Sequence, residues 1–290
     1  MSGTALDLRD RAGALAGRLP PLLADARRLA ATVLLGEHGR RQAGPGSEFW
    51  QYRTAMPGDQ AQRIDWRRSG RSDTHYIRER EWQAAQTVSF WIDSGKNMSF
   101  TSNPKTLVSK HDRAALLGLA LAVVLEESGE RIGLAGRPAG IGAQQVMRIA
   151  EALIEPATDD YAAPQLDRAP ARSMAVLISD FFAPIEPLIH QVGQAADRGV
   201  RGTLVQINDP AEENFPFKGR TLFQSVGGGL LYEVQKALSL KDDYRRRLAE
   251  RRDALSALAK STGWQFLTHH TDQPAQAALL WLYGAIGRQS

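Results

Sequence analysis

TVSFWIDSGKNMSF, residues 87–100, joins an apolar run of β-prone side chains to an acidic residue and then to a loop of small polar residues. Val88, Phe90, Trp91 and Ile92 suit a strand with little exposed surface, and Asp93 falls where that strand would end. An acidic group at the end of a buried strand, followed by a small polar loop, is one design for holding a cation. Lys96 lies inside the same loop and opposes a second positive charge there. Whether the loop holds a metal or is the remains of one that did decides how the chain is read.

Outward from this stretch, strand-like and helix-like segments alternate. Strands are predicted at 87–93, 131–136, 173–180, 202–209 and 263–270, and helices at about 110–128, 142–155, 185–198, 240–261 and 274–287. This alternation predicts an α/β fold, a doubly wound, mostly parallel sheet with helices on both faces, over residues 87–290. RTLFQSVGGGLLYEVQ, residues 220–235, reads as a two-stranded ribbon around three glycines that decorates an edge. In an open α/β sheet, ligands collect at the carboxyl ends of the strands where chain order reverses. Two predicted strands end there in an aspartate, Asp93 and Asp180.

The first part of the chain divides further. Leu19, Leu22, Leu23, Ala26, Ala30, Val33 and Leu34 recur at helical spacing between Gly17 and Gly36, so an amphipathic helix that packs on the main domain is expected, followed by a basic glycine-rich loop to residue 46. Residues 47–86 carry strand-prone residues on either side of a turn-rich centre and form a small β-rich segment.

Composition narrows the function classes. The chain has 290 residues, 43% hydrophobic and 23% charged, which suits a folded protein with a sizeable core. The absence of cysteine excludes disulfides, thiolate zinc sites and cysteine nucleophiles. AALLGLALAVVL, residues 114–125, is shorter than the roughly 20 residues that cross a bilayer, and Asp112, Arg113, Glu126 and Glu127 bracket it. It reads as a buried helix. With no secretory signal pattern at the N-terminus, a cytoplasmic location is expected. The net charge of +4 permits nucleic-acid or acidic-lipid binding without requiring either. No phosphate-binding glycine loop, HExxH or GxSxG pattern occurs.

The loop after the first strand, the Ser-Asp at the end of the third and the overall alternation resemble a von Willebrand factor A (vWA) domain. The upstream stretch YRTAMPGDQAQRIDWRRSGRSD, residues 52–73, followed by YIREREWQ, resembles the bacterial DUF58 family. Its signature falls here on Tyr52, Arg53, Gly58, Asp59, Arg63, Asp65, Trp66 and Arg71. The resemblance implies a partner, since such proteins are often encoded beside a MoxR-type AAA+ ATPase and are thought to act with it.

It also implies a metal-ion-dependent adhesion site, which this sequence keeps only in part. A vWA site that binds Mg²⁺ uses Asp-x-Ser-x-Ser, a threonine from a second loop and an aspartate from a third, because this hard ion takes oxygen ligands in octahedral geometry. Asp93 and Asp180 are in place, but Gly95 and Asn97 stand where the serines belong. No threonine lies between Gly136 and Gln145. The site is read as degenerate, with Asp93, Ser94, Gly95, Lys96, Asn97 and Asp180 lining it and no cofactor expected. Lys96 either pairs with one of the aspartates in place of the metal or points to solvent.

The arginine block has two readings. Arg63, Arg67, Arg68, Arg71, Arg78 and Arg80, interleaved with Trp66 and Tyr76, suit phosphates and bases, but Asp59, Asp65, Asp73, Glu79 and Glu81 among them favour an ion-pair network or a protein-docking surface. Gly58 suits a turn after Pro57, Asp59 suits a cap, and Trp66 is expected to be buried against an arginine. On the helix at 240–261, Asp243 and Arg247 have ion-pair spacing. The expected function is therefore a non-enzymatic interaction protein working as an adaptor. Nucleic-acid binding through Arg63–Arg80 is the alternative, and a carboxylate-based hydrolase is a weaker third.

Overall fold

The computed structural model describes residues 19–34, 51–56, 64–70, 74–79, 85–155, 159–224, 231–234 and 237–288. By internal contacts the chain forms two units, Met1–Leu35 with Gln86–Ser290, and Gly36–Ala85.

The larger unit is built on a five-stranded parallel sheet. Its strands are β3 (Thr87–Ile92), β4 (Arg131–Leu134), β5 (Met174–Ser179), β6 (Arg201–Asn208) and β9 (Gln265–His270), in spatial order β4-β3-β5-β6-β9. Each begins or ends within two or three residues of its sequence-predicted bounds. Parallel neighbours need crossover connections, and the helices supply them. These are α3 (Lys110–Glu127), α4 (Ala143–Ile154), α5 (Ile185–Asp197) and α7 (Lys241–Thr262), with α8 (Ala275–Gly287) closing the chain.

The period of two along each strand sorts the core onto both faces. On β5, Met174, Val176 and Ile178 face one cluster, and Ala175 and Leu177 face the other. The first cluster also holds Val88, Phe90 and Ile92 of β3 and the apolar sides of α3, α4 and α8. Ala26, Ala30 and Val33 of helix α1 (residues 19–34) join it. The second cluster packs Leu188 and Val192 of α5 and Leu255, Leu258 and Ala259 of α7 against the opposite face. Helix α3 is apolar almost all round because it lies between the sheet and other helices, which explains why residues 114–125 read as one hydrophobic run. This arrangement is consistent with a doubly wound vWA-like fold.

Chain order reverses at β3. Its neighbour on one side is β4, the next strand in sequence, and on the other side β5, reached after α4. The crevice between the loops after β3 and β5 is therefore where this topology places ligands. Asp93 and Asp180 stand on either side of it.

Two smaller sheets are separate. In the Gly36–Ala85 unit, β1 (Gln51–Thr54) pairs antiparallel with β2 (Tyr76–Glu79), and the four-residue helix α2 (Trp66–Ser69) lies between them in sequence. Strands β7 (Thr221–Gln224) and β8 (Leu231–Val234) form the expected ribbon, hydrogen-bonded to each other and not to the main sheet. Between β6 and β7 lies the short helix α6 (Pro210–Asn214), which the alternation of longer elements did not predict.

Candidate functional site

At the crevice the chain buries a lysine between carboxylates. Lys110 opens α3, is 1% exposed, and donates from Nζ to Asp180 Oδ2 at 2.7 Å and to Glu212 Oε1 at 2.7 Å. The rings of Phe182 and Phe100 lie 5.0 and 5.6 Å from the same ammonium. A cation in the first turn of a helix opposes the helix dipole, so its place here depends on these partners. Ser109 caps the helix by accepting from the Asp112 amide at 3.0 Å.

Local sequence places each carboxylate. Asp180 follows β5 directly, and its Oδ1 accepts from the Phe182 amide at 2.9 Å. Asp209-Pro210-Ala211-Glu212 is a capping box. Asp209 accepts from the Ala211 amide at 2.8 Å, while Glu212 Oε2 turns back to the Asp209 amide at 2.8 Å. That leaves Glu212 Oε1 facing Lys110. Asp209 is itself fully buried, and its other oxygen accepts from the Ser102 amide at 2.9 Å.

Asp93 occupies the neighbouring position, 1% exposed. Its Oδ1 accepts from the Gly95 amide at 2.8 Å, and its Oδ2 from Ser179 Oγ at 2.6 Å and Asn97 Nδ2 at 3.2 Å. The same Asn97 nitrogen donates to Asp180 Oδ1 at 2.9 Å, so one amide bridges both aspartates. Burial raises the pKa of Asp93 above the ordinary carboxylate value, against the hydrogen bonds from Ser179 and Gly95, and the charge of Asp180 raises it further. Burial likewise raises Glu212, opposed by the charge of Lys110. Burial opposes the charge on Lys110, but the charges of Asp180 and Glu212 outweigh it and hold the ammonium protonated.

These residues do not fit a hard divalent ion. The oxygens that Mg²⁺ would need are taken by Lys110 and by the Asn97 and Ser179 donors. Asn97 Oδ1 is buried and unpaired, but it lies 2.2 Å from where a β-carbon on Gly95 would sit, so the amide fills the space a serine would use. Among the described residues, no group of three or more His, Cys, Asp or Glu could hold a metal.

The predicted site residues therefore divide. Asp93, Gly95, Asn97 and Asp180 converge, with Ser94 exposed beside them. Lys96 does not join them: its ammonium reaches Asp160 at 3.1 Å, with both side chains nearly half exposed. Of the two readings of Lys96, the one that points it to solvent fits this geometry and the one that pairs it with Asp93 or Asp180 does not; the ammonium beside Asp180 is that of Lys110. The stem of Lys96 starts from a 3-10 turn (Lys96–Ser99) whose buried side chains are Asn97 and Met98, which turns Lys96 outward.

In the smaller unit, Trp66 is 59% exposed and meets His75 edge-to-face at 5.4 Å, rather than lying buried against an arginine. A four-residue helix gives its ring no second layer to enter. Asp65 is half-buried at the start of that helix, its amide donating to the Tyr76 carbonyl at 2.8 Å. Tyr52 and Arg53 lie on β1, paired with Arg78 and Ile77. Gly58, Asp59, Arg63 and Arg71 lie outside the described residues. On α7, Asp243 pairs with Arg246 at 3.1 Å and not with Arg247, and Arg246 also takes Glu250 at 2.9 Å. Arg246 can serve both acids because they lie three residues before it and four after it on the same helix face.

Lys110 and Glu212 were missed in the sequence. The signal for Glu212 was Asp-Pro-x-Glu after a strand, a helix start that commits both side chains. Lys110 gave none beyond its place ahead of an apolar helix.

The fold and site define a doubly wound α/β domain whose switch-point carboxylates hold a lysine of the same chain. Residues 51–254 match the model of the family described as protein of unknown function DUF58, and the chain belongs to that family. Uncharacterized proteins of Mycobacterium tuberculosis and Mycobacterium bovis are each 28% identical to it over 260 residues, covering 83% of this chain and 80% of theirs. Two solved structures align with 71% of this chain over their whole length. They are a conserved hypothetical protein BatB from Bacteroides thetaiotaomicron, 12% identical with a TM-score of 0.38, and an aerotolerance-related membrane protein from Bacteroides fragilis, 13% identical with a TM-score of 0.39.

Proposed function

We propose that this DUF58 protein is a non-enzymatic adaptor, a vWA-like domain whose degenerate adhesion site is closed by Lys110, acting with a MoxR-type AAA+ ATPase. The observation that carries the reading is the pair of 2.7 Å contacts from Lys110 to Asp180 and Glu212. A lysine held as a doubly bridged ammonium has no lone pair to offer as nucleophile or base, and Asp93 is committed to three donors. Such a cluster supports a rigid surface with a built-in cation better than it supports chemistry. The partner comes from the family resemblance alone. Nucleic-acid binding finds less support, because on α7 Arg246 and Arg252 are already paired with Asp243, Glu250 and Glu213. Among the described residues no helix is long and apolar enough to cross a membrane.

Co-purification of the tagged protein from native extract, in parallel with Mg²⁺ and with chelator, tests the proposal. An AAA+ ATPase retained equally in both is the expected result. Retention of nucleic acid in its place, or no ATPase in either, would overturn it.

A further inference from the structure

Beside the Lys110 cluster, between the loop after β3, helix α6 and the start of α7, lies an open cavity of about 420 Å³. Phe100, Phe215, Phe217 and Tyr244 supply its ring walls, and Glu212, Asp243 and Arg247 its charged ones. Its volume suits a small ligand or one side chain of a larger one.

The rings are set at angles to one another. Phe215 is 4% exposed, and its centroid lies 5.2 Å from that of Phe217 at 81° and 5.1 Å from that of Tyr244 at 38°. Rings so inclined do not stack flat but enclose a corner. Phe215 is held in the left-handed backbone region at φ 45°, where its amide closes α6 by donating to the Ala211 carbonyl at 2.9 Å. Phe100 already lies 5.6 Å from one cation, the Lys110 ammonium. Ring faces carry the negative end of the aromatic quadrupole and attract a positive charge within about 6 Å.

The charges point the same way. At Lys110 a single ammonium faces two carboxylates, Asp180 and Glu212, which leaves one negative charge over. That excess reaches the cavity: burial first, and then the charges of Glu212, Glu213 and Asp180, raise the pKa of the Tyr244 hydroxyl above the usual phenol value. Asp243 and Arg247, both exposed, add one charge of each sign, and Asp243 already pairs with Arg246.

The hydrogen bonds select the kind of cation. Both oxygens of Glu212 are taken, Oε1 by Lys110 and Oε2 by the Asp209 amide. A primary ammonium or a guanidinium would bring N–H donors out of water to walls with few free acceptors, whereas a quaternary ammonium has no donor to satisfy. We infer that this cavity binds a quaternary ammonium group, held against the rings of Phe100, Phe215, Phe217 and Tyr244 beside the carboxylates of the Lys110 cluster. A free choline-like molecule presents this chemistry, and so does a trimethylated lysine of a protein. The inference does not depend on the adaptor reading.

Calorimetric titration of the full chain with choline, with its uncharged isostere 3,3-dimethylbutan-1-ol, and with the peptide acetyl-Gly-trimethyllysine-Gly-amide tests it. At least one of the two cations is expected to bind about tenfold or more tighter than the alcohol. The tighter of the two identifies the source. Phe217→Leu, which keeps an apolar wall and removes the ring, should abolish the preference for the cation. Asp243→Asn should weaken the cation and Arg247→Ala strengthen it, each by about two- to fivefold, and since both residues are exposed the melting temperature should stay where it is. Binding of neither cation, equal affinity for cation and alcohol, an unchanged preference in Phe217→Leu, or a shift in the same direction in Asp243→Asn and Arg247→Ala would overturn the inference.

Discussion

Lys110 opens a helix whose middle, residues 114–125, is apolar, and its ammonium is the cation held between Asp180 and Glu212 at the crevice. Removing it would leave buried Asp180 and half-buried Glu212 without their cation, beside the buried carboxylates of Asp93 and Asp209. Breaking a buried pair from one side costs about 3–5 kcal/mol, since the remaining charge stays uncompensated. Lys110→Met is therefore expected to lower unfolding stability by that amount at pH 7, measured by urea denaturation. The deficit should shrink as the pH falls. Burial already raises the folded pKa of Glu212, and removing the ammonium takes away the charge that opposes this rise. Such a group contributes stability that is present at low pH and lost as pH rises through the folded value. A deficit independent of pH would contradict this account. The sequence exposed half of this arrangement. Asp93 and Asp180 end apolar strands and so announce themselves by position. Lys110 stands ten or more residues beyond the loop that was read as the site, and its helical pattern resembles that of any flanking charge. Only the approach of α3 to the loop after β5 shows what it does.

Elements carry the next level. Helix α6 has five residues and no hydrophobic periodicity, so alternation passed over it, but its capping box fixes the Glu212 carboxylate. On β9 the adjacent His269 and His270 point to opposite faces, as the period of two requires. His270 pairs with Glu213 at 3.0 Å, while His269 is 3% exposed and lies 3.0 Å from an Arg113 nitrogen of α3. Burial first, and then the guanidinium, lower the His269 pKa to about 4. A histidine whose folded pKa is depressed stabilises above its unfolded value near 6.5, and that contribution is lost as the pH falls toward 4. The loss is on the order of 3 kcal/mol. NMR titration should show His269 neutral at pH 5.5. Urea midpoints between pH 7 and 4.5 should fall less in His269→Gln than in the wild type. A His269 that titrates near 6.5 would contradict the geometry. The strands and long helices around these contacts were legible because each has one or two apolar faces. The pairings between them were not, since a histidine against an arginine leaves no periodic trace.

At the scale of the molecule, the five-stranded sheet, its two helical faces and its switch point follow from the alternation of elements along the chain, and the family match spans both units. What the topology offers at the switch point is a place for a ligand, and this chain has put a lysine of its own there. The central claim is that this ammonium substitutes for a divalent ion. Titration of the wild-type protein with Mn²⁺ near neutral pH, followed by water-proton relaxation, tests it most directly. The account predicts no enhancement from the protein. Mn²⁺ binding that Asp180→Asn abolishes would contradict it, and Lys110 would then be a movable side chain above a working metal site.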